Sequence, residues 1–321
     1  MTHKQLFEAT LRREKIGGRV PTFELVFFLT MELLGKVHAS HRFYEQWDQM
    51  SVKEKELQLA DIADTFIEPA RIFDHSAILV HPNPEDFDSV KRLLEIIREK
   101  SGDEYFLLLH GDATLEIPTG ENMMDMSIRL YEDPESLIRE QEARMAKRLE
   151  FAEKINKHDK LVDGFALCSD YALNVNPFFS PDIFGEVIAP VLKKLIDGYR
   201  DLGYYTIKHS DGNLMPILDQ IVQCGPDALH SIDPQGGLDL LQLKKMYGDK
   251  LAFIGNVNCG LLQTGTEEEV IADVRRALQQ GMVDGGGYVF GTSNCVYTGM
   301  DLDRYRLVHK LWQEEGIYPA N

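Results

Sequence analysis

The chain has 321 residues, of which 44% are hydrophobic and 27% charged, and its formal net charge is −18. This composition is typical of a globular protein with a sizeable core. The acidic balance disfavours nucleic acid, an anionic membrane or a broad polyanionic surface as a partner. The first 18 residues contain no apolar signal segment, and no apolar run reaches the roughly 18 residues of a membrane span. The four cysteines form no CxxC pair, so we expect a cytoplasmic protein with reduced thiols.

Short apolar segments alternate with longer amphipathic segments along the chain. The predicted strands are, in order, 20–28, 64–73, 105–113, 162–173, 204–212, 227–236, 250–258 and 287–294. The segments between them carry helix signals: 180–203 opens with Ser-Pro and closes with Gly, and 264–281 has a Thr cap and an acidic first turn. Strands that alternate with helices predict parallel βαβ units of class α/β. Eight such units predict one (β/α)8 TIM barrel domain over 1–321, with 1–18 as an N-terminal helical extension.

A doubly wound sheet is the competing architecture. Such a sheet usually has a Gly-rich nucleotide turn after an early strand. The glycine cluster of this chain, at 284–291, precedes the last predicted strand and does not open a helix. The pattern therefore favours the barrel.

Polar side chains recur where the predicted strands end. They are Glu24, His110, Asp112, Asp170, Tyr171, His209, Asp211, Asp233, Asn256, Asn294 and Cys295. The C-terminal strand ends of a barrel form one mouth, where active sites lie. We therefore expect most of these side chains to face a single cleft.

The stretch IKHSDGN (207–213) is a candidate metal-binding segment. His209 and Asp211 are two residues apart and would point to one face of an extended strand. With Asp233 and Cys295 they offer the imidazole, carboxylate and thiolate ligands that zinc accepts. The structural alternatives are a helix cap for Asp211, a loop cap for Asp233 and a small buried residue for Cys295.

Other residues suggest acid–base chemistry or substrate contact. Asp170, Tyr171 and His110 are candidates to position or protonate a substrate, whereas Asp112 is either a substrate ligand or a turn cap. No G-x-S-x-G elbow occurs, so a serine triad is not supported.

The segment NPFFSP (176–181) places two aromatic residues in the loop after the fourth predicted strand. Phe178 and Phe179 are expected to form either a wall for a flat, apolar ligand or a hydrophobic plug over the barrel rim. Both interpretations remain open.

Four stretches in the second half of the chain, 169–196, 209–240, 253–258 and 285–305, resemble the uroporphyrinogen decarboxylase superfamily. The similarity covers about residues 160–310 and is weak before them, apart from GGRVPTFE at 17–24. The resemblance implies a (β/α)8 barrel with its site at the C-terminal mouth. True uroporphyrinogen decarboxylases carry an arginine-rich motif after the first strand, whereas residues 24–36 contain no arginine. A polyanionic tetrapyrrole is therefore disfavoured as substrate.

The other branch of the superfamily contains zinc-dependent methyltransferases that act with corrinoid (cobalamin) proteins. Their metal site resembles H-x-C after the fifth strand, an acidic residue after the sixth and Cys after the eighth. His209, Asp233 and Cys295 match these positions, whereas Asp211 replaces the first Cys. Carboxylate in place of thiolate makes a harder site, which suits an ether oxygen better than a thiol.

The resemblance thus implies a methyltransferase that moves a methyl group between a small, O-methyl substrate and a corrinoid protein. It implies zinc on His209, Asp233 and Cys295, with Asp211 as a ligand or as an orienting neighbour. The expected substrate-orienting and substrate-binding residues are Asp170, Tyr171, His110, Glu24, Asp112, Phe178, Phe179, Asn256 and Asn294. A homodimer is the expected assembly. The alternatives are a cofactor-free decarboxylase of porphyrin biosynthesis and a non-catalytic barrel that binds a tetrapyrrole or corrinoid.

Overall fold

The computed structural model describes residues 1–158 and 160–319. Within them, the strands are β1 Ala77–Val80, β2 Phe106–His110, β3 Gly164–Leu167, β4 Tyr205–His209, β5 Ala228–His230, β6 Ala252–Ile254 and β7 Tyr288–Val289. The α-helices are α1 His3–Leu11, α2 Thr30–Leu34, α3 Val52–Ile72, α4 Phe87–Ser101, α5 Met123–Glu132, α6 Pro134–Asn156, α7 Pro181–Ile183, α8 Ala189–Asp201, α9 Leu218–Cys224, α10 Leu240–Tyr247, α11 Cys259–Thr264, α12 Glu267–Gly281 and α13 Leu302–Glu315. Short 3-10 turns lie at Ala39–His41, Trp47–Gln49 and Met215–Ile217, and a π-helical segment, Phe184–Ile188, joins α7 to α8.

The strands form one parallel sheet in the order β1 to β7, as the alternation of strands and helices predicts. Successive residues of a strand point to opposite faces. In β2, Phe106 and Leu108 belong to an inner cluster with Ala166 and Ile207, whereas Leu107 belongs to the outer core beneath the helices. The sheet is therefore curled around its own apolar interior, with helices on the outside.

The predicted first strand, 20–28, is not a regular strand. It is an extended segment: Phe23 N–H donates to the Phe290 carbonyl at 3.0 Å, and Ser76 N–H donates to the Thr22 carbonyl at 2.7 Å. The segment thus forms main-chain hydrogen bonds with the residue after β7 and with the residue before β1. Pro21 has no N–H to donate, which limits the ladder to single bridges. The described residues therefore contain a seven-stranded sheet rather than the predicted eight regular strands.

The predicted strand 64–73 is wrong, because these residues lie mostly within α3. The Ser51 hydroxyl caps this helix by accepting from Glu54 N–H at 3.2 Å. Ile62, Phe66 and Ala70 are buried at helical spacing along one face. The strand of this unit is β1, four residues farther along the chain than the predicted segment's end. The other six predicted strands each contain an observed strand.

The N-terminal helix α1 closes the end of the sheet opposite the predicted mouth. Lys4 N–H donates to the Glu104 carbonyl at 2.8 Å, just before β2 begins. Phe7 is fully buried, and its ring lies 4.9 Å from that of Phe106 in the inner cluster. The predicted helical extension therefore contributes side chains to the core. Among the described helices, none combines the length and apolar character needed to cross a bilayer.

Candidate metal centre and adjoining cavities

Three side chains at neighbouring strand ends form a group that fits a metal ion. They are Asp170 after β3, His209 at the end of β4 and Asp211 two residues later. One ligand atom of each lies within 4.8 Å of the other two, and His209 Nε2 is 3.8 Å from one carboxylate oxygen of each aspartate. Two tetrahedral zinc ligands bonded at about 2.0–2.1 Å lie roughly 3.3 Å apart. A contraction of about half an ångström would therefore bring His209 Nε2 and either aspartate oxygen to the separation of two zinc ligands.

A second histidine holds the ring of His209. His209 is buried, and its Nδ1 lies 2.7 Å from Nδ1 of His230, the last residue of β5 and its register partner. If His209 Nδ1 carries the proton, it donates to His230 and leaves the Nε2 lone pair facing the two aspartates. The sequence analysis missed His230, although His230-Ser231 repeats the His209-Ser210 pair at a strand end.

One carboxylate oxygen of Asp211 faces His209 and accepts no hydrogen bond from any described residue. Its Oδ2 accepts from Asn294 Nδ2, whereas Oδ1 is buried without a hydrogen-bonding partner. Burial and the nearby charge of Asp170 raise the pKa of Asp211 to about 7. Burial also raises the pKa of Asp170, and it lowers that of His209, which keeps the imidazole neutral. An unpaired carboxylate oxygen beside a neutral imidazole is suited to a cation.

Asp211 does not act as the helix cap considered from sequence. The side chain of Asn213, not that of Asp211, accepts from Met215 N–H at 3.1 Å where the following 3-10 turn begins. The Asp211 main-chain N–H donates to Asp170 Oδ1 at 3.1 Å, which fixes the Asp170 carboxylate against the backbone of Asp211.

The structure places Asp233 and Cys295 near this group but outside it. The Asp233 carboxylate accepts from Gly212 N–H at 3.1 Å and from Gln235 N–H at 2.9 Å. These hydrogen bonds stabilise the loop that carries Asp211. Cys295 is partly buried, and burial raises the pKa of its thiol. The third member of the metal-facing group is thus Asp170, which was predicted to orient substrate. The metal-binding roles of Asp233 and Cys295 stay predictions.

A cavity of about 270 Å³ adjoins Asp211. Its lining residues are Asn174, Asp211, Asp233, Gln235, Cys259, Gly260, Gln263, Ser293, Asn294, Tyr297 and Met300. Of the predicted residues, Asp211, Asp233 and Asn294 therefore share one cavity. This lining contains neither lysine nor arginine.

Asp112 forms an ion pair with the buried Lys208. Its carboxylate accepts from Lys208 Nζ at 3.0 Å, from Ser169 N–H at 2.9 Å and from the Thr114 N–H and hydroxyl. Lys208 holds the pKa of Asp112 well below its usual range against the effect of burial. Because its oxygens are already bonded within the protein, Asp112 has little capacity left for a ligand. Lys208, whose side chain is completely buried, was not singled out from sequence.

The aromatic side chains of Tyr171, Phe178 and Phe179 pack against other residues of the protein. Tyr171 is fully buried, its hydroxyl is 2.6 Å from Thr114 Oγ1, and Lys208 Nζ lies 4.0 Å from its ring centroid. Phe179 is also buried, and its ring packs edge-on against that of the partly buried Phe178 at 5.1 Å. These contacts favour the plug interpretation of the loop.

Glu24 and Asn256 have partners inside the protein. Glu24 accepts from the Thr292 N–H and hydroxyl and from the Tyr305 hydroxyl, and burial raises its pKa to about 7. Asn256 is fully buried, donates to the Ile232 carbonyl at 2.8 Å and accepts from Arg276. Neither residue lines the cavity beside Asp211, and their substrate-binding roles stay predictions.

His110 faces a different cavity, of about 470 Å³, at the ends of β1 and β2. Its Nε2 lies 2.7 Å from Nε2 of His81, a residue that the sequence analysis did not consider. The predicted single cleft is therefore divided between at least two cavities in the described part of the chain.

The protein has an α/β fold in which helices cover the outside of a curled, parallel sheet. This fold is similar to that of a methyltransferase from Methanosarcina mazei, with a TM-score of 0.72, 17% identity, and coverage of 98% of this chain and 99% of that one. GH5_18 from Streptomyces cattleya, in complex with GlcNAc, is also similar, with a TM-score of 0.51, 11% identity, and coverage of 94% and 83%. At such identities these similarities establish the fold alone.

Residues 167–314 match the family model described as uroporphyrinogen decarboxylase (URO-D). The resemblance predicted from sequence is therefore confirmed over this segment, which contains β4 to β7 and the residues from Asp170 to Cys295. No curated protein sequence matches the chain.

Proposed function

We propose that the chain is a metal-assisted methyltransferase that moves a methyl group between a small, O-methyl substrate and a corrinoid protein. The observation that carries the proposal is the group formed by Asp170, His209 and Asp211 at adjacent strand ends. The match to the uroporphyrinogen decarboxylase family and the fold of the methyltransferase from Methanosarcina mazei support it.

His209 Nε2 and one oxygen each of Asp170 and Asp211 would hold zinc, and Cys295 is a candidate to join them. When bound, zinc supplies a Lewis acid that polarises an ether or acceptor oxygen. His230 fixes the His209 ring, and Asn294 holds the second oxygen of Asp211. The polar lining of the 270 Å³ cavity suits a small substrate without a large negative charge, because Asp211 and Asp233 would repel an anion.

Methyl transfer is expected when zinc-loaded protein is mixed with cob(I)alamin and a panel of small methyl ethers. Methylcobalamin formation, followed by visible absorbance, should be at least about 100-fold slower in Asp170→Asn, because a metal-facing carboxylate is lost. Asp303→Asn is the matched control, since the Asp303 side chain is 83% exposed on α13.

Equal rates in wild type and Asp170→Asn would contradict the proposal. Tight cobalamin binding with no methyl transfer to or from any member of the panel would instead favour the non-catalytic, corrinoid-binding alternative.

Decarboxylation of uroporphyrinogen is the second candidate, favoured by the family match over residues 167–314. We expect no measurable turnover, because neither residues 24–36 nor the lining of the Asp211 cavity provides an arginine for the substrate carboxylates. Product can be measured by porphyrin fluorescence after oxidation, with a genuine uroporphyrinogen decarboxylase as positive control. Turnover of about 1 per second or more, a typical enzyme rate, would reverse this ranking.

A further inference from the structure

One feature left unexplained by the metal centre is the 470 Å³ cavity beside the ends of β1 and β2. Its lining residues are Ser40, His81, Pro82, Asn83, Glu85, Val90, Leu109, His110, Arg148 and Phe151. The volume falls within the range of sites for small organic ligands, roughly 300–1,000 Å³. None of the three metal-facing residues belongs to this lining.

A chain of hydrogen bonds fixes the tautomers of the two histidines in this cavity. His81 Nδ1 lies 3.1 Å from the Leu79 carbonyl, which can only accept, so this nitrogen carries the proton. A neutral His81 then has a bare Nε2, which must accept from His110 Nε2–H at 2.7 Å. His110 is consequently left with a lone pair on Nδ1, and the described residues offer that nitrogen no partner. Burial lowers the pKa of both imidazoles, to about 4 for His110, which keeps the pair neutral at pH 7.

Arg148 supplies a positive charge at the same cavity. It is exposed on α6 and forms no ion pair with any described residue, unlike Arg92, Arg98 and Arg129. Glu85 is also exposed in the lining and opposes part of the Arg148 charge. An unpaired guanidinium in a protein of net charge −18 is a local receptor for a carboxylate.

The remaining wall is apolar. Val90 and Leu109 are buried beneath the cavity, and Phe151 presents an aromatic ring. A ligand that fits this lining has three parts: a carboxylate for Arg148, a hydroxyl that donates to His110 Nδ1, and an apolar body against Val90, Leu109 and Phe151.

We propose that this cavity binds a small hydroxy-carboxylic acid with an apolar, ring-sized body. His110 Nδ1 accepts the ligand hydroxyl proton in a hydrogen bond, and His81 is a positioning residue that keeps this lone pair available. Binding requires neither metal nor methyl transfer, so the proposal can fail or succeed independently of the proposed function.

The test uses the purified full chain and calorimetric titration with 4-hydroxybenzoate, benzoate and 4-hydroxybenzyl alcohol. We expect 4-hydroxybenzoate to bind most tightly, benzoate about 3- to 10-fold more weakly, and the alcohol about 10- to 100-fold more weakly. Arg148→Gln should weaken 4-hydroxybenzoate binding by about 10- to 100-fold, because it removes a charged hydrogen bond. His110→Ala should make 4-hydroxybenzoate and benzoate bind equally, since the partner of the hydroxyl is gone.

Lys147→Gln is the matched control, because it removes the same charge from the adjacent position of α6 outside the cavity lining, and it should leave all affinities unchanged. Glu85→Gln should tighten carboxylate binding by about 2- to 3-fold. Nitrogen-15 spectra of the imidazoles should show protons on His81 Nδ1 and His110 Nε2. The proposal is overturned if none of the three compounds binds at millimolar concentration. It is also overturned if Arg148→Gln matches Lys147→Gln, or if His110 carries its proton on Nδ1.

Discussion

Replacing His209 with alanine is expected to lower zinc affinity by more than about 100-fold. The substitution removes the imidazole that faces both aspartates at 3.8 Å, and two carboxylates alone make a harder, weaker zinc site. The fold should persist, because His209 is the last residue of β4. The unpaired His230 Nδ1 should cost about 1–3 kcal/mol of unfolding free energy. Zinc stoichiometry by elemental analysis after dialysis, together with thermal unfolding, measures both effects.

Two further variants are needed to interpret the His209→Ala result. His230→Phe removes only the outer partner of the ring and should weaken zinc binding by about 10- to 100-fold. His110→Ala removes a histidine from the other cavity and should leave zinc stoichiometric. If His209→Ala retains full zinc, or if the wild-type protein binds none, the metal centre and the methyltransferase proposal lose their main support.

Asp211→Asn is expected to make the metal-free protein more stable above pH 7. The pKa of Asp211 is about 7 in the folded protein, against an ordinary value of 3.8. Between these values the folded state binds more protons than the unfolded state, so the unfolding free energy of wild type falls as the pH rises from about 4 to 7. A shift of this size corresponds to at most about 4 kcal/mol, reduced by the solvent contact of a side chain that is 28% exposed. Asn does not titrate, so the variant should lack this fall.

The same substitution, which should stabilise the metal-free protein, should weaken its binding of zinc. Zinc must displace the proton of Asp211, so wild-type affinity should fall by about tenfold per pH unit below pH 7. The neutral His209 does not add to this competition, because its pKa is lowered by burial. Asp211→Asn should bind zinc more weakly at pH 8 and lose the part of the pH dependence due to Asp211. Denaturant unfolding and competitive zinc titration from pH 5 to 8 measure the two trends. A variant less stable than wild type at pH 8, with unchanged zinc affinity, would show that Asp211 is a structural residue.

The pattern of apolar segments was sufficient to predict six strands because each is short, apolar and followed by a polar residue. It failed at 64–73, where an apolar run on one face of α3 has the same composition as a strand. Only helical spacing over the longer window from Ser51 separates the two, and β1 is short enough to be overlooked beside it. The segment 20–28 occupies the predicted place beside β7 and β1, but Pro21 and its few bridges prevent a regular strand.

Local sequence patterns were enough to predict the α/β class, the resemblance over residues 160–310, and His209 and Asp211 as candidate metal ligands. These are local properties, because strand periodicity and the spacing of two residues do not depend on distant parts of the chain. Which of these side chains contact one another depends on the tertiary structure. The register of β3, β4 and β5 brings Asp170 and His230 to His209, whereas backbone N–H groups engage Asp233 and Lys208 engages Asp112. Buried polar groups take whichever partner removes their desolvation cost, and that partner is set by packing between segments far apart in the chain.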